Sequence, residues 1–236
     1  MARAIRRGKE AVVLKIGMPH MEADHEIDAL RFLNGDPTVQ LIEADDARNG
    51  MLLESCDPGN ALRSLTEPEQ DVVIAQLLRR FWRSPRQPHR FRPLSTMTAH
   101  WSDETKRDAA RWPDPGLVQE GLRLFETLAR PTSGDVLLAT DLHAGNVLRA
   151  QREPWLVIDP KPFIGDPAYD ATQHLRGCAS RMRTDPLGTI QHFSDLLEID
   201  HERVRLWVFA RASAEPRSNW PSWNDESMEL ARTLAP

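Results

Sequence analysis

Three polar residues at fixed spacing constrain this chain more than any other feature of its sequence: Asp141, Asn146 five positions later, and Asp159 just before Pro160. Each borders a short apolar run, at 135–139 ahead of the first, 146–149 from the second, and 155–158 ahead of the third. Short aliphatic and β-branched runs punctuated by polar loops read as strands. A hairpin between Asn146 and Asp159 then returns the chain to the loop that holds Asp141. Taken singly, each of the three is an ordinary turn or cap residue. Together they bring a carboxylate, an amide and a second carboxylate to one place.

The remaining pattern is strand-rich first and helical afterwards. Residues 2–7 and 11–16 read as a hairpin across the turn-like stretch 7–10. Residues 20–33 carry Ile27, Leu30 and Leu33 at helical spacing and stop at Asn34, Gly35, Asp36 and Pro37, a breaker cluster. Two more strands are expected at 39–42 and 50–54, the second closed by Asp57, Pro58 and Gly59. Helices are expected at 69–82 and 117–129 and in three or four pieces from 167 onward, with 204–209 buried. The stretch 84–93, with three prolines among Arg86, Arg90 and Arg92, reads as a loop. This layout predicts an α+β chain in two lobes, a small strand-rich one at 1–56 and a larger, mostly helical one at 57–236 with a few short strands.

Lysine is rare, occurring only at positions 9, 15, 106 and 161. Lys15 sits in an otherwise apolar strand, where an ammonium group needs a partner. Glu26 on the following helix supplies one, and Glu22, one turn earlier, is the alternative. Transfer of a phosphoryl group from a nucleotide requires a carboxylate for the attacking hydroxyl and oxygen ligands for magnesium. It also requires a lysine, held by a glutamate, for the phosphates. The residues singled out above contain that set.

At this point the chain resembles the aminoglycoside phosphotransferase group of protein-kinase-like enzymes, in particular its streptomycin 6-kinase and hydroxyurea kinase branch. The resemblance is carried by Val12-Val-Leu-Lys-Ile-Gly17, by His25-Glu-Ile-Asp-Ala-Leu-Arg31, by Leu52-Leu-Glu-Ser-Cys-Asp-Pro-Gly59 and by Leu137-Leu-Ala-Thr-Asp-Leu-His-Ala-Gly-Asn-Val-Leu148. It continues through Ile158-Asp-Pro-Lys-Pro-Phe-Ile-Gly-Asp-Pro-Ala-Tyr-Asp170 and spans most of the chain. It implies Asp141 as catalytic base, Asn146 and Asp159 as magnesium ligands, Lys15 as the phosphate contact and Glu26 as its partner. Glu54, Ser55 and Cys56 would form the connector whose backbone meets the adenine of ATP. Asp166 and Asp170 would lie on the acceptor side of the cleft or cap the next helix. Two departures stand out. Ala139 and Thr140 replace the usual His-Gly before the catalytic Asp, and only Gly8 precedes Lys15, so the family's glycine-rich turn has no counterpart and weaker nucleotide binding is expected.

The formal charge of −5 argues against a sequence-independent nucleic-acid binder. No apolar run is long enough for a membrane span, no secretion signal opens the chain, and Cys56 and Cys178 lack metal-ligand spacing, so a cytoplasmic protein with reduced thiols is expected. The acceptor implied is a small molecule, an aminoglycoside such as streptomycin, whose positive charge suits the acidic balance. Two other readings are open: a nucleotide-binding relative without turnover, and a metal-dependent hydrolase using Asp141 and His143 as ligands.

Overall fold

The computed structural model describes residues 1–6, 8, 11–18, 21, 24–216 and 224–236. The chain forms two compact units, Met1–Phe91 with Leu137–Phe163, and Arg92–Val136 with Ile164–Pro236. The lobe boundary expected at 56/57 falls inside the first unit.

The first unit is built on a four-stranded antiparallel sheet of β1 (Ala2–Ile5), β2 (Ala11–Ile16), β3 (Leu41–Asp45) and β4 (Gly50–Glu54), in the order β1-β2-β4-β3. Side chains alternate across a strand, so Val13 and Lys15 of β2 share one face, opposite Leu53 and Met51 of β4. On that face lies helix α1 (Glu26–Leu33), which buries Ile27, Leu30 and Leu33. Helix α2 (Glu67–Phe81) follows, opened by a capping box between Thr66 and Glu69.

The chain returns to this unit through β5 (Val136–Leu138). It then forms an antiparallel hairpin of β6 (Val147–Arg149) and β7 (Trp155–Val157), and departs at β8 (Phe163–Gly165). Backbone hydrogen bonds grip the hairpin on both flanks. Val39 N donates to Val157 O and Val157 N to Pro37 O, each at 3.0 Å, while Gly59 N donates to Arg149 O at 3.0 Å and Arg149 N to Asn60 O at 2.9 Å. One apolar core results, in which Ile27, Leu30, Val39, Met51, Leu53, Cys56 and Leu156 pack together from sheet, helix and hairpin.

The expected N-terminal hairpin, the strand at 50–54 and the strands flanking Asp141, Asn146 and Asp159 are all present. Helix α1 starts at Glu26, directly after His25, whose left-handed backbone (φ 69°) interrupts the helix expected over 20–33. His20 and Glu22, and three residues of the 7–10 turn (Arg7, Lys9 and Glu10), lie outside the described residues. The strand expected at 39–42 is displaced to Leu41–Asp45, since the backbone of Pro37 and Val39 is taken up by β7.

The second unit holds α3 (Leu94–Arg107), α4 (Pro115–Leu128), α5 (Pro167–Gly177), α6 (Ala179–Thr184), α7 (Pro186–Leu197), α8 (His201–Ala214) and α9 (Asp225–Leu234). Among the described residues, five helices rather than three or four lie from residue 167 onward. Helix α3 was not evident in the sequence because Thr98 and Thr105 occupy buried positions beside Leu94, Met97 and Trp101, which interrupts the apolar period. Helix α8 is the axis of this unit, burying Val204, Trp207, Val208, Phe209 and Ala210 against α4, α5, α7 and α9. At Gly121 of α4 an added Cβ would stand 2.2 Å from Ser213 Oγ, so only glycine admits this approach. Aromatic rings of Trp101, Phe125, Tyr169 and Trp207 stack around the contact, with centroids 5.2 to 6.4 Å apart. No helix among the described residues is long and apolar enough to cross a membrane.

Glu215 ends α8 deep in this unit, accepting from Arg176 Nη1 at 2.9 and 3.0 Å and from Arg211 Nε at 2.9 Å. Burial alone would raise its carboxyl, but the two guanidinium groups outweigh burial and hold it below the ordinary value. A folded-state value below the unfolded one contributes stability above the usual glutamate value of about 4.3, lost as pH falls through the folded value. Glu215→Gln therefore flattens the acid limb of stability against pH, measured as melting temperature from pH 7 to pH 3. In the first unit, Leu30→Ala removes a fully buried side chain and costs about 2–5 kcal/mol in denaturant unfolding.

Candidate active site

Lys15 projects from β2 toward α1, is buried, and lies opposite Met51 in the strand pair. Its ammonium donates to Glu26 Oε1 and Oε2, each at 2.6 Å, and to Asp159 Oδ1 at 2.5 Å. Three acceptors match the three protons of an ammonium group. Glu26, in the first turn of α1, is 1% exposed and reaches Lys15 because α1 rests on the same sheet face through Ile27 and Leu30. Asp159 arrives from the end of β7, on a left-handed backbone (φ 54°). The partner of Lys15 expected from the sequence is thus Glu26, and Asp159 joins the pair.

Asp141 follows β5 in a tight loop. Asn146 Nδ2 donates to the Asp141 carbonyl at 3.1 Å, with Asp141 Oδ2 at 3.5 Å, and Asn146 N donates to His143 O at 2.9 Å. Ile158 N donates to Asn146 O at 2.9 Å, which anchors the residue before Asp159 to this loop. His143 Nδ1 accepts from Gly145 N at 3.0 Å, a loop-ordering role, and its Nε2 lies 3.9 Å from Asp141 Oδ1. The Asp141 side chain is one-third exposed. The structure therefore assembles Lys15, Glu26, Asp141, Asn146 and Asp159 within one compact unit.

One residue of this cluster was not singled out from the sequence. Lys161 donates to Asp159 Oδ1 at 2.9 Å, the same oxygen that Lys15 uses. Its backbone is fixed at both ends, with Lys161 N donating to Ala139 O at 2.9 Å and Thr140 Oγ1 donating to Lys161 O at 2.6 Å. The rarity of lysine was the available signal.

Electrostatics follow from this crowding. Burial pushes the Glu26 carboxyl above its ordinary value against the pull of the Lys15 ammonium, and the Asp159 charge adds to it. Burial also acts to raise Asp159, but the hydrogen bonds and charges of Lys15 and Lys161 prevail and hold it below the usual carboxylate value. Burial disfavours the charge on Lys161, yet Asp159, with Glu26 and Asp141 beyond it, raises its pKa above that of an ordinary lysine. Among the described residues, Asp159 Oδ2 and Asn146 Oδ1 accept no hydrogen bond. A carboxylate and an amide oxygen are hard donors suited to magnesium.

The other expected site residues are placed as follows. Glu54 ends β4, where Gln40 N donates to its carboxylate at 2.9 Å and Arg152 pairs with it at 2.9 to 3.2 Å. Ser55 follows, then Cys56 in the apolar core, its thiol pushed up to about 11 by burial and by Glu54. In the second unit Asp166 caps α5, accepting from Ala168 N at 3.1 Å, Arg203 Nε at 2.5 Å and Trp207 Nε1 at 2.6 Å. Of the two roles weighed for it, capping is the one these bonds describe. Asp170 is buried in the first turn of α5.

A family model for aminoglycoside/hydroxyurea antibiotic resistance kinases matches residues 3–220. The chain belongs to this family. It is 36% identical over 212 residues to hydroxyurea phosphotransferase of Kitasatospora aureofaciens, covering 86% of this chain and 60% of that protein. It is 33% identical over 218 residues to streptomycin 6-kinase of Streptomyces glaucescens, covering 88% and 70%. The chain thus spans less than two thirds of the hydroxyurea phosphotransferase.

Among solved structures, the fold is similar to choline kinase LicA from Streptococcus pneumoniae (TM-score 0.61, 12% identity, 96% of this chain and 85% of that one). It is also similar to a thermostable mutant of aminoglycoside phosphotransferase APH(4)-Ia, solved with ADP and hygromycin B (TM-score 0.52, 13% identity, 96% and 85%). The protein-kinase-like fold expected from the sequence is the one present.

The buried ion triad has a measurable consequence. Lys15→Met leaves the buried Glu26 without its cation, while Asp159 keeps Lys161, and costs about 3–5 kcal/mol. Adding Glu26→Gln removes that stranded charge, so the double variant loses less than the sum of the single ones, by about 1–3 kcal/mol in a denaturant double-mutant cycle.

Proposed function

We propose that this chain transfers the terminal phosphoryl group of ATP to a hydroxyl of a small molecule, with an aminoglycoside such as streptomycin as acceptor and hydroxyurea as its competitor for that assignment. The observation that carries the reading is the ion triad of Lys15, Glu26 and Asp159, which shares one compact unit with the Asp141–Asn146 loop. In it Lys15 contacts the phosphates, and Glu26 orients Lys15. Asn146 and Asp159 hold magnesium, which when bound neutralises phosphate charge. Residues 54–56 meet the adenine through their backbone. Residues 1–56 serve the nucleotide, and 57–236 carry the catalytic loop and the acceptor contacts.

In the reaction the acceptor oxygen forms a bond to the terminal phosphorus as the bond from that phosphorus to the bridging oxygen of ADP breaks. The leaving oxygen keeps the electron pair, and the hydroxyl proton passes to the Asp141 carboxylate. Asp141 suits this task because its side chain is partly exposed and is oriented beside Asn146. Catalysis of this kind is mainly positioning and charge neutralisation, which a fixed cluster of ammonium, carboxylate and amide groups supplies. Asp166 and Asp170 enter as supports of α5. The use of ATP and the free thiols of Cys56 and Cys178 suit the cytoplasm.

Incubation with MgATP and either streptomycin or hydroxyurea, followed by mass spectrometry, is expected to yield an acceptor heavier by one phosphoryl group. Asp141→Asn is expected to lower kcat about 10²–10⁴-fold with little change in melting temperature. Stabilisation by MgATP without product from either acceptor would instead favour a binding protein without turnover.

A further inference from the structure

Lys15, the lysine expected to bind phosphate, has all three ammonium protons engaged, two by Glu26 and one by Asp159. Lys161 differs. Its ammonium donates to Asp159 Oδ1 alone among the described residues, which leaves two protons for an incoming acceptor. Its side chain retains 17% of its exposure, against 10% for Lys15. The backbone bonds to Ala139 and Thr140 fix Lys161 to the residues that immediately precede Asp141. A cation with spare donors is therefore tied by its backbone to the residues before Asp141 and by its ammonium to the carboxylate assigned to magnesium.

Resting on the phosphotransferase reading, we propose that Lys161 is a catalytic residue that donates directly to the terminal phosphoryl group of the nucleotide. Asp159 holds the ammonium by one proton and aims the other two. The group keeps its proton throughout: the phosphoryl group moves from ADP oxygen to acceptor oxygen, the acceptor's proton goes to Asp141, and Lys161 only offsets negative charge on the phosphoryl oxygens. Such charge-assisted donors matter most where charge is redistributed in the transition state. Thr140 is the corresponding positioning residue. Thr140 lies on a left-handed backbone (φ 45°), and its hydroxyl clamps the Lys161 carbonyl.

A contact to the terminal phosphoryl group discriminates ATP from ADP, so the test does not depend on the acceptor. Calorimetric affinities for magnesium with a non-hydrolysable ATP analogue, and for magnesium with ADP, are compared in wild type, Lys161→Met and Lys161→Arg. Lys161→Met is expected to weaken the analogue roughly tenfold or more while leaving ADP within about twofold. Lys161→Arg is expected to restore part of the preference, with melting temperatures showing that all three proteins are folded. Thr140→Val, which removes the hydroxyl clamp, is expected to shift the preference in the same direction by less. Equal loss for both nucleotides, or no loss for either, overturns the assignment of Lys161 while leaving phosphoryl transfer intact. If wild type binds neither nucleotide, the phosphotransferase reading fails first and this proposal with it.

Discussion

An ammonium group with a tenth of its side-chain surface left in contact with water is stable only if its protons are all taken, and Lys15 meets that condition with two carboxylates from distant parts of the chain. Glu26 comes from the helix that follows β2, and Asp159 from the end of a hairpin far along the sequence. An ion pair of this kind contributes little net stability compared with apolar packing of the same volume. Its effect lies in specificity. With either carboxylate misplaced, a buried charge loses a partner, so the sheet, α1 and the β6–β7 hairpin are held to one arrangement.

The apolar core makes that arrangement affordable. Ile27 and Leu30 of α1, Met51 and Leu53 of β4, and Leu156 of β7 pack into one cluster, and the hairpin is pinned by backbone bonds to 37–39 and 59–60. The first unit is thus made of two stretches separated by part of the helical one, and the hairpin completes the core that the N-terminal sheet begins. Because the packing precedes the chemistry in this sense, the polar residues arrive already oriented. The Asn146 side-chain amide donates to the Asp141 carbonyl, and the Asn146 backbone carbonyl accepts from Ile158 N, so loop and hairpin end are tied by one residue.

Much of this was legible in the residues. Asp141, Asn146 and Asp159 stood out by spacing and by the apolar runs around them, and Lys15 by being a charge in a strand, because those are local signals. What escaped was decided by tertiary contacts. Helix α3 hides its period by burying threonines, the start of α1 is set by the left-handed turn at His25, and the strand expected at 39–42 yields part of its backbone to β7. Lys161 was visible as one of four lysines, but nothing local says that it shares an oxygen with Lys15. Asp166 was ambiguous for the same reason, since Arg203 and Trp207, which saturate its carboxylate, lie a long way off in sequence.

Charge balance gives the site its direction. Glu26, Asp141 and Asp159 carry three negative charges, and Lys15 and Lys161 supply two positive ones, both on the same oxygen of Asp159. That leaves the cluster with one net negative charge and with hard oxygen donors on Asn146 and Asp159, a combination that attracts a divalent cation more strongly than a bare polyanion. A divalent cation placed on those donors would turn the local excess positive, which is the condition under which a phosphate and a cation each lower the electrostatic cost of holding the other.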